Sequence, residues 1–199
     1  MPNALDRLTK DIRACRLCVE APRKDPLPHE PRPVLRVSMS ARICIVGQAP
    51  GTRVHASGVP FTDPSGDRLR DWMGVSEEEF YDTSRIAIVP MGFCFPGLDA
   101  KGGDLPPRPE CAGHWRARLF ELLPQIDFFL LVGQYAQAWH LGGARQKNLT
   151  ETVRNWRNYG PGAIPLPHPS WRNNAWIRKN PWFESELLPV LKREVRARL

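Results

Sequence analysis

The sequence has no hydrophobic segment long enough to cross a membrane. Its longest apolar run, residues 128–133, is far shorter than the ~20 residues that a bilayer-spanning helix needs. Residues 1–16 are polar and charged at helical spacing, and they contain neither the apolar stretch nor the small-residue cleavage site of a secretion signal. We therefore expect a soluble, cytoplasmic protein with no membrane partner.

The sequence also lacks blocks of like charge. The 28 Lys and Arg residues exceed the 21 Asp and Glu residues, which gives a net charge of +7, and the basic residues are scattered along the chain. An excess of positive charge favours an anionic partner such as nucleic acid. Scattered charges are equally typical of an ordinary solvated surface, so the charge alone does not separate these two interpretations.

Cysteine is scarce, with five residues in the chain. Because a reducing cytoplasm disfavours structural disulfides, these cysteines indicate metal binding, catalysis or simple burial. The 199 residues, 42% of them hydrophobic, suffice for one core, and we expect a single domain over residues 1–199. Within it, residues 21–33 are rich in proline and predict an extended surface segment.

Four short apolar segments predict buried strands, and helical patterns separate them. The predicted strands are residues 42–47, 85–90, 127–132 and 163–166. Alternation of strands and helices predicts an α/β fold, a three-layer α/β/α sandwich with a mostly parallel central sheet of about four strands. Ligands of such sheets bind beyond the carboxyl ends of the strands. The loops at those ends cover residues 48–64, 91–109 and 167–174.

The helices are predicted from apolar spacing and from capping residues. An N-terminal helix with apolar residues between Leu5 and Leu17 is expected to run into the first cysteines. Ser65 is the predicted N-cap of a helix that continues through Met73. Further helices are predicted over residues 110–123, 134–141, 149–156 and 183–198, the last with a kink at Pro189.

The loop after the first predicted strand has an unusual composition. It begins with residues 47–51, Gly-Gln-Ala-Pro-Gly, and two glycines around a proline let a backbone approach a ligand closely and rigidly. A purely structural turn has the same composition. The loop continues to Phe61 and Asp63, so an aromatic ring, a carboxylate and a helix N-terminus share one segment. A second distinctive segment, residues 168–170 (His-Pro-Ser), follows the last strand.

Together, these two segments resemble the motifs of the uracil-DNA glycosylase superfamily, and most closely those of its iron–sulfur branch, called family four. That branch has a loop reading glycine, glutamate, alanine, proline, glycine, followed seven residues later by glycine-x-proline-phenylalanine. Residues 47–51 and 58–61 match this spacing, and residues 168–170 match the second motif in the right order. The resemblance implies a DNA glycosylase that hydrolyses the N-glycosidic bond of uracil in DNA and so initiates base excision repair.

The resemblance also implies roles for individual residues. Phe61 would stack on the base after its rotation out of the duplex, a sequence-tolerant contact. His168 would donate a hydrogen bond to the base oxygen as the base leaves with negative charge; by its position alone, His168 is equally an ordinary loop histidine that interacts with Ser170. The implied base pocket consists of Gly47, Gln48, Ala49, Gly51, Phe61, Gly92 and His168.

The catalytic carboxylate is where this sequence departs from the family. Gln48 replaces the glutamate of family four, and Ala49 stands where the best-known uracil glycosylases have an aspartate. Gln48 remains a catalytic candidate by position, and Asp63 is the expected carboxylate that orients water and stabilises the sugar cation. Asp63 is also well placed simply to cap the next helix. Gly51 occupies a place where some relatives carry a tyrosine that excludes thymine, which is compatible with a wider pocket.

Four cysteines have the order and spacing of the family-four cluster ligands. Cys15 and Cys18 form a C-x-x-C motif, and Cys94 and Cys111 follow the second strand. Four thiolates suit a [4Fe–4S] cluster, and they equally suit one structural zinc ion. Four unrelated cysteines without a metal are the third interpretation. Cys44, inside the first strand, is expected to be a small core residue.

The segment after the histidine motif mixes basic and aromatic residues, in the region where relatives place the loop that enters the minor groove. Tryptophans at positions 176 and 182 are expected in the core. His55 stands at a position that is acidic in family four, and we expect it to contact a DNA phosphate. The predicted DNA-binding residues are His55, Ser170, Trp171, Arg172 and Asn173.

We therefore expect a monomeric, monofunctional uracil-DNA glycosylase whose partner is uracil-containing DNA. No lysine is placed to act as a lyase. Two alternatives within the fold are a non-catalytic binder of DNA lesions and a glycosylase for another deaminated base. A third alternative is a nucleotide-binding α/β enzyme with no DNA partner.

Overall fold

A parallel four-stranded sheet forms the centre of the protein, whose computed structural model describes residues 3–199. The strand order is β2-β1-β3-β4, and every pair of neighbours is parallel. Helices cover both faces, so the predicted three-layer α/β/α architecture is confirmed. The strands are β1 (Ile43–Val46), β2 (Ile86–Ile88), β3 (Phe128–Val132) and β4 (Ala163–Leu166).

The α-helices of the described residues follow in chain order. They are α1 (Ala4–Arg13), α2 (Leu17–Glu20), α3 (Thr52–Ser57), α4 (Pro64–Met73), α5 (Glu77–Tyr81), α6 (Pro109–Glu121), α7 (Gln134–Leu141), α8 (Leu149–Arg154), α9 (Asn174–Lys179) and α10 (Leu188–Arg196). None of the helices within residues 3–199 has both the length and the apolar composition needed to span a bilayer.

Alternation along the strands divides the core between the two faces of the sheet. Ile43 and Ile45 of β1 face a cluster built with α4 and α10, whereas Cys44 and Val46 face a cluster built with α1, α6 and α7. All four side chains are fully buried, which confirms Cys44 as a core residue. Burial on both faces explains why the strands read as continuous apolar runs.

The N-terminal helix is shorter than its apolar pattern predicts. α1 begins after Asn3, whose side chain forms a capping box with Asp6, and it ends at Arg13. A separate short helix, α2, contains Cys18. The prediction of one helix running into both cysteines was therefore wrong, and the break lets the chain turn between Cys15 and Cys18.

The predicted N-cap of α4 was wrong by two residues. Asp63 is the N-cap, and its Oδ1 accepts hydrogen bonds from the backbone N–H groups of Ser65 (3.0 Å) and Gly66 (3.3 Å). Pro64 occupies the first turn, where its missing N–H costs no hydrogen bond. The helix thus starts directly at the carboxylate, which fixes the position of Asp63.

The C-terminal helical segment is divided in two. Phe183–Leu187 forms a π-helical turn, and α10 starts at Leu188 with Pro189 in its first turn. The irregularity predicted at Pro189 is present, but it begins at the preceding turn. Two segments predicted as loops contain helices, namely α3 and the 3₁₀ turn Trp171–Asn173 that leads into α9.

Candidate active site

A pocket lies at the carboxyl ends of β1, β2 and β4, where the fold predicts a ligand site. Together with the open solvent at its mouth it has an empty volume of about 590 Å³. Most of the predicted base-pocket residues line it. Its lining includes Gly47, Gln48, Ala49, Pro50, Gly51, Val54, Pro60, Phe61, Asp63, Pro90, Asp104 and His168.

The two glycines of the first loop keep one wall of the pocket free of side chains. A Cβ on Gly47 would lie 3.6 Å from the ring of Phe61, and one on Gly51 would lie 3.7 Å from a carboxylate oxygen of Asp104. Gly92, predicted as a pocket residue, is not among the lining residues; it is buried behind the wall, and its N–H donates to the Gln48 carbonyl (3.0 Å). Gly92 therefore supports the wall, and a direct contact with a ligand stays a prediction.

Phe61 forms an aromatic wall of the pocket. Its ring meets the fully buried ring of Phe80 edge-on, with the centroids 5.9 Å apart. Its backbone is left-handed, with φ of 58°. Such a conformation costs a residue with a side chain about 1–2 kcal/mol, so the surroundings must hold it.

His168 lies in the loop that follows β4, and its side chain is partly buried. Its Nδ1 accepts a hydrogen bond from the Ser170 N–H (3.2 Å), and its carbonyl accepts one from the side chain of Asn173 (2.7 Å). In the neutral ring, Nε2 therefore carries the proton. Burial lowers the pKa of His168, and the charges of Asp63 and Asp104 only partly offset this effect. The pocket thus contains a neutral N–H donor near pH 7.

Two carboxylates line the same pocket. Asp63 is the predicted one, and one of its oxygens is engaged in capping α4. Asp104 was not predicted; it is exposed, and no hydrogen bond or ion pair from residues 3–199 reaches its carboxylate. It lies on a hairpin, residues 97–105, closed by an antiparallel bridge between Leu98 and Asp104. The loop at 91–109 was expected to reach the site, but no local signal singled out this residue.

The profile of the Uracil DNA glycosylase superfamily matches residues 36–192, a range that includes all four strands, both motifs and every residue of the pocket lining except Val34. The chain belongs to the uracil-DNA glycosylase superfamily. DNA is accordingly its partner, and its family is one of DNA glycosylases. The predicted family is confirmed at the level of the superfamily. Cys15 and Cys18 lie outside the matched residues, and the match does not distinguish branches.

Gln48, which stands at the position of the family-four glutamate, contacts the hairpin. Its side-chain amide donates to the Leu105 carbonyl at 3.4 Å, and Gln48 also lines the pocket. The contact joins the glycine-rich loop to the hairpin that carries Asp104. In this structure, residue 48 therefore has a bridging role, and its direct part in catalysis stays a prediction.

The predicted DNA-binding residues of this superfamily member fall into three groups. Trp171 is 73% exposed and Arg172 is exposed beside it, so both present their side chains to solvent. Ser170 and Asn173 instead hold His168 through the hydrogen bonds described above. His55 lies on α3 with its ring against His29 and Phe95, and it does not line the pocket.

The four cysteines of the predicted cluster converge at a separate place. Cys15, Cys18, Cys94 and Cys111 all line one small apolar cavity between α1, α2 and α6. Two N–H groups point at their sulfurs, from the indole of Trp115 to Cys15 (3.3 Å) and from the backbone of Phe93 to Cys111 (3.3 Å). Within residues 3–199, no group of three or more His, Cys, Asp or Glu side chains has the arrangement of ligands to a metal ion.

Proposed function

We propose that this member of the superfamily is a monofunctional uracil-DNA glycosylase. The observation that carries the proposal is the hydrogen bond from the Ser170 N–H to Nδ1 of His168, because it assigns the proton of the neutral ring to Nε2 on a residue that lines the pocket. A neutral donor of this kind stabilises the negative charge that develops on a departing base. A cytoplasmic, monomeric protein is part of the same proposal.

The first step is extrusion of the base from the DNA and its capture in the pocket. The rigid ring of Phe61 offers a stacking surface, worth roughly 1–3 kcal/mol per base. Backbone groups of residues 47–51 line the opposing wall and supply polar contacts without bulky side chains. Outside the pocket, Trp171 would stack on the flanking strand and Arg172 would pair with a phosphate, and the exposure of both side chains supports these roles.

In the second step the glycosidic bond breaks and water adds to the sugar. The bonding electrons leave with the base, whose oxygen accepts a hydrogen bond from Nε2 of His168, while positive charge develops on the sugar. Asp63 supplies the negative charge beside the sugar. Asp104, whose carboxylate accepts no hydrogen bond from the described residues 3–199, orients the water and accepts its proton in this proposal. The products are an abasic site and the free base.

We also propose that the four cysteines hold a [4Fe–4S] cluster. The support is that all four thiols line one apolar cavity and that two of them accept N–H hydrogen bonds, a common feature of cluster ligands. Each thiolate of such a cluster binds a different iron, so its sulfurs lie further apart than the ligands of one zinc ion. The cavity is distinct from the base pocket, and the group would stabilise α2 and α6.

An excision assay tests the proposal. Single- and double-stranded oligonucleotides that contain uracil, hypoxanthine, xanthine or a G·T mismatch are incubated with the protein and then treated with alkali. Strand cleavage specific to uracil supports the proposal, and cleavage at another base identifies a different substrate, which the open wall at Gly51 would accommodate. Retained binding of the damaged DNA without cleavage supports the non-catalytic lesion binder. If the protein neither binds nor cleaves the damaged DNA, both the glycosylase and the lesion-binder hypotheses are refuted.

A further inference from the structure

The conformation of Phe61 requires an explanation beyond its own sequence position. Phe61 is the only non-glycine residue with a positive φ among residues 3–199. A left-handed backbone is unfavourable for a phenylalanine, and such residues persist only where neighbouring groups over-determine them. Because its ring lines the base pocket, whatever holds the backbone of Phe61 also sets the position of that ring.

Three neighbours act on the backbone of Phe61. The hydroxyl of Tyr81 donates to the Pro60 carbonyl (2.8 Å) and lies 3.1 Å from the Phe61 carbonyl. The Arg70 guanidinium reaches the same Phe61 carbonyl at 3.5 Å. Gly66 provides the space, because a Cβ there would lie only 1.9 Å from that carbonyl oxygen.

Tyr81 is itself held firmly at the end of α5. Its carbonyl accepts a hydrogen bond from Arg36 (2.9 Å), and its ring has the guanidinium groups of Arg36 and Arg70 at 5.3 and 5.9 Å. The ring also meets Phe80 edge-on at 5.1 Å, and Phe80 in turn meets Phe61. The hydroxyl is therefore a fixed group that donates to the carbonyl of Pro60, at the peptide bond to Phe61, and lies beside the carbonyl of Phe61.

We propose that Tyr81 is a positioning residue for the base pocket. Its hydroxyl holds Phe61 in the left-handed conformation, so the stacking ring is already in place before DNA binds. Tyr81 does not line the pocket and touches no reacting atom; it acts through Phe61. This inference rests on the proposed function, since it assumes that Phe61 stacks on the extruded base.

The test is a double-mutant cycle with Tyr81→Phe and Phe61→Ala, measured as excision from uracil-containing single-stranded DNA. Loss of the hydroxyl is expected to raise KM about fivefold, as for loss of one net hydrogen bond, with kcat changed less than about twofold. Tyr135→Phe is the matched control, because no hydrogen bond from residues 3–199 reaches that hydroxyl, and it should leave KM unchanged. In the Phe61→Ala background, Tyr81→Phe should have no further effect.

Each result decides the matter. If Phe61→Ala lowers kcat/KM and Tyr81→Phe does not, or if the two effects add, Tyr81 is not a positioning residue, although the proposed function stands. If Phe61→Ala itself has no effect, both the stacking role and this inference fail. A crystal structure of Tyr81→Phe gives a readout independent of activity: a negative φ at Phe61 supports the inference, and an unchanged positive φ overturns it.

Discussion

Replacing His168 by alanine tests the centre of the proposed mechanism. The change removes the Nε2–H that the proposed mechanism assigns to the departing base, and it leaves the Ser170 N–H without its acceptor. Removal of one preorganised donor to a developing anion costs ~10²–10³ in kcat, or about 2.7–4 kcal/mol. We therefore expect a loss of this size in single-turnover excision of uracil, with His168→Gln retaining more activity because its amide still offers an N–H.

The pH dependence gives the same donor a second test. Burial lowers the pKa of His168 from its ordinary value of 6.5, so the neutral ring persists below that pH. The rate should stay level as pH falls through 6.5 and decline only at lower pH, where the ring becomes charged and Nδ1 can no longer accept from Ser170. The reasoning is refuted if excision becomes faster as the pH falls from 7 to 5.

A control separates the donor from a general effect of losing a histidine. His114 is exposed on α6, away from the pocket lining, and His114→Ala should leave the excision rate unchanged. Unfolding by urea should show that His168→Ala remains folded at the assay temperature. An excision rate for His168→Ala within about threefold of the unmodified protein would exclude His168 as the donor.

Three further changes test the carboxylates, the cysteines and the fold. Asp63→Asn retains a good N-cap and removes only the charge, so it should lower kcat at least tenfold with little change in stability. Asp104→Asn should also lower kcat, because the amide cannot accept the proton of the attacking water. Asp71→Asn, on the exposed face of α4, is the control, and full activity in either pocket variant removes that carboxylate from the mechanism. Purified protein should contain iron and acid-labile sulfide. Cys111→Ser should reduce the iron per chain at least twofold, whereas the core variant Cys44→Ala should leave the iron content unchanged. Zinc without iron would contradict the cluster. Gly74→Ala should lower the free energy of unfolding by ~1–2 kcal/mol, because Gly74 has φ of 67° and the side chain of Lys192 lies 3.1 Å from the added Cβ. The control is Gly113→Ala on α6, where the added Cβ meets open space and should not destabilise the fold.

The strands could be predicted because their signal is local and strong. Each is a short apolar run that must be buried on both faces, and the predicted segments contain all of β1 to β4. Helix α7 matches its predicted bounds, since Gln134 and Leu141 are flanked by glycines that end the regular pattern. The strands follow from apolar runs and α7 follows from its flanking glycines, and both signals can be recognised in the sequence of one protein.

The start of α4 shows where a local signal was misjudged. Both Asp63 and Ser65 are good N-cap residues. Proline is favoured in the first turn of a helix, so Pro64 makes Asp63, the residue before it, the N-cap. Helix α3 had no comparable signal, because its six residues carry only one buried side chain, Val54. Short helices of this kind are stabilised by their position in the fold rather than by their own periodicity.

The pocket could be located from the two motifs, but its conformation could not. Phe61 was a stacking candidate from the motif, whereas its left-handed backbone lies against the hydroxyl of Tyr81, twenty residues away, and in space left by the absence of a side chain at Gly66. Asp104 was missed because its position depends on hairpin 97–105 folding back over the loop that follows β1. Both features come from tertiary contacts that no window of sequence contains.

The contact between Gln48 and the hairpin links an uncharged side chain of the first loop to the hairpin that carries Asp104. The Gln48 amide donates to the Leu105 carbonyl, and Leu105 directly follows Asp104. A glutamate at position 48 would instead place a carboxylate against that carbonyl, two acceptors facing each other, and would add negative charge beside Asp104. The hairpin that brings Asp104 to the pocket is thus compatible with glutamine at position 48 and disfavours glutamate. The uncharged Gln48 and the acid on the hairpin are therefore parts of one arrangement, in which Asp104 adds a second carboxylate to the one that Asp63 supplies from the first loop.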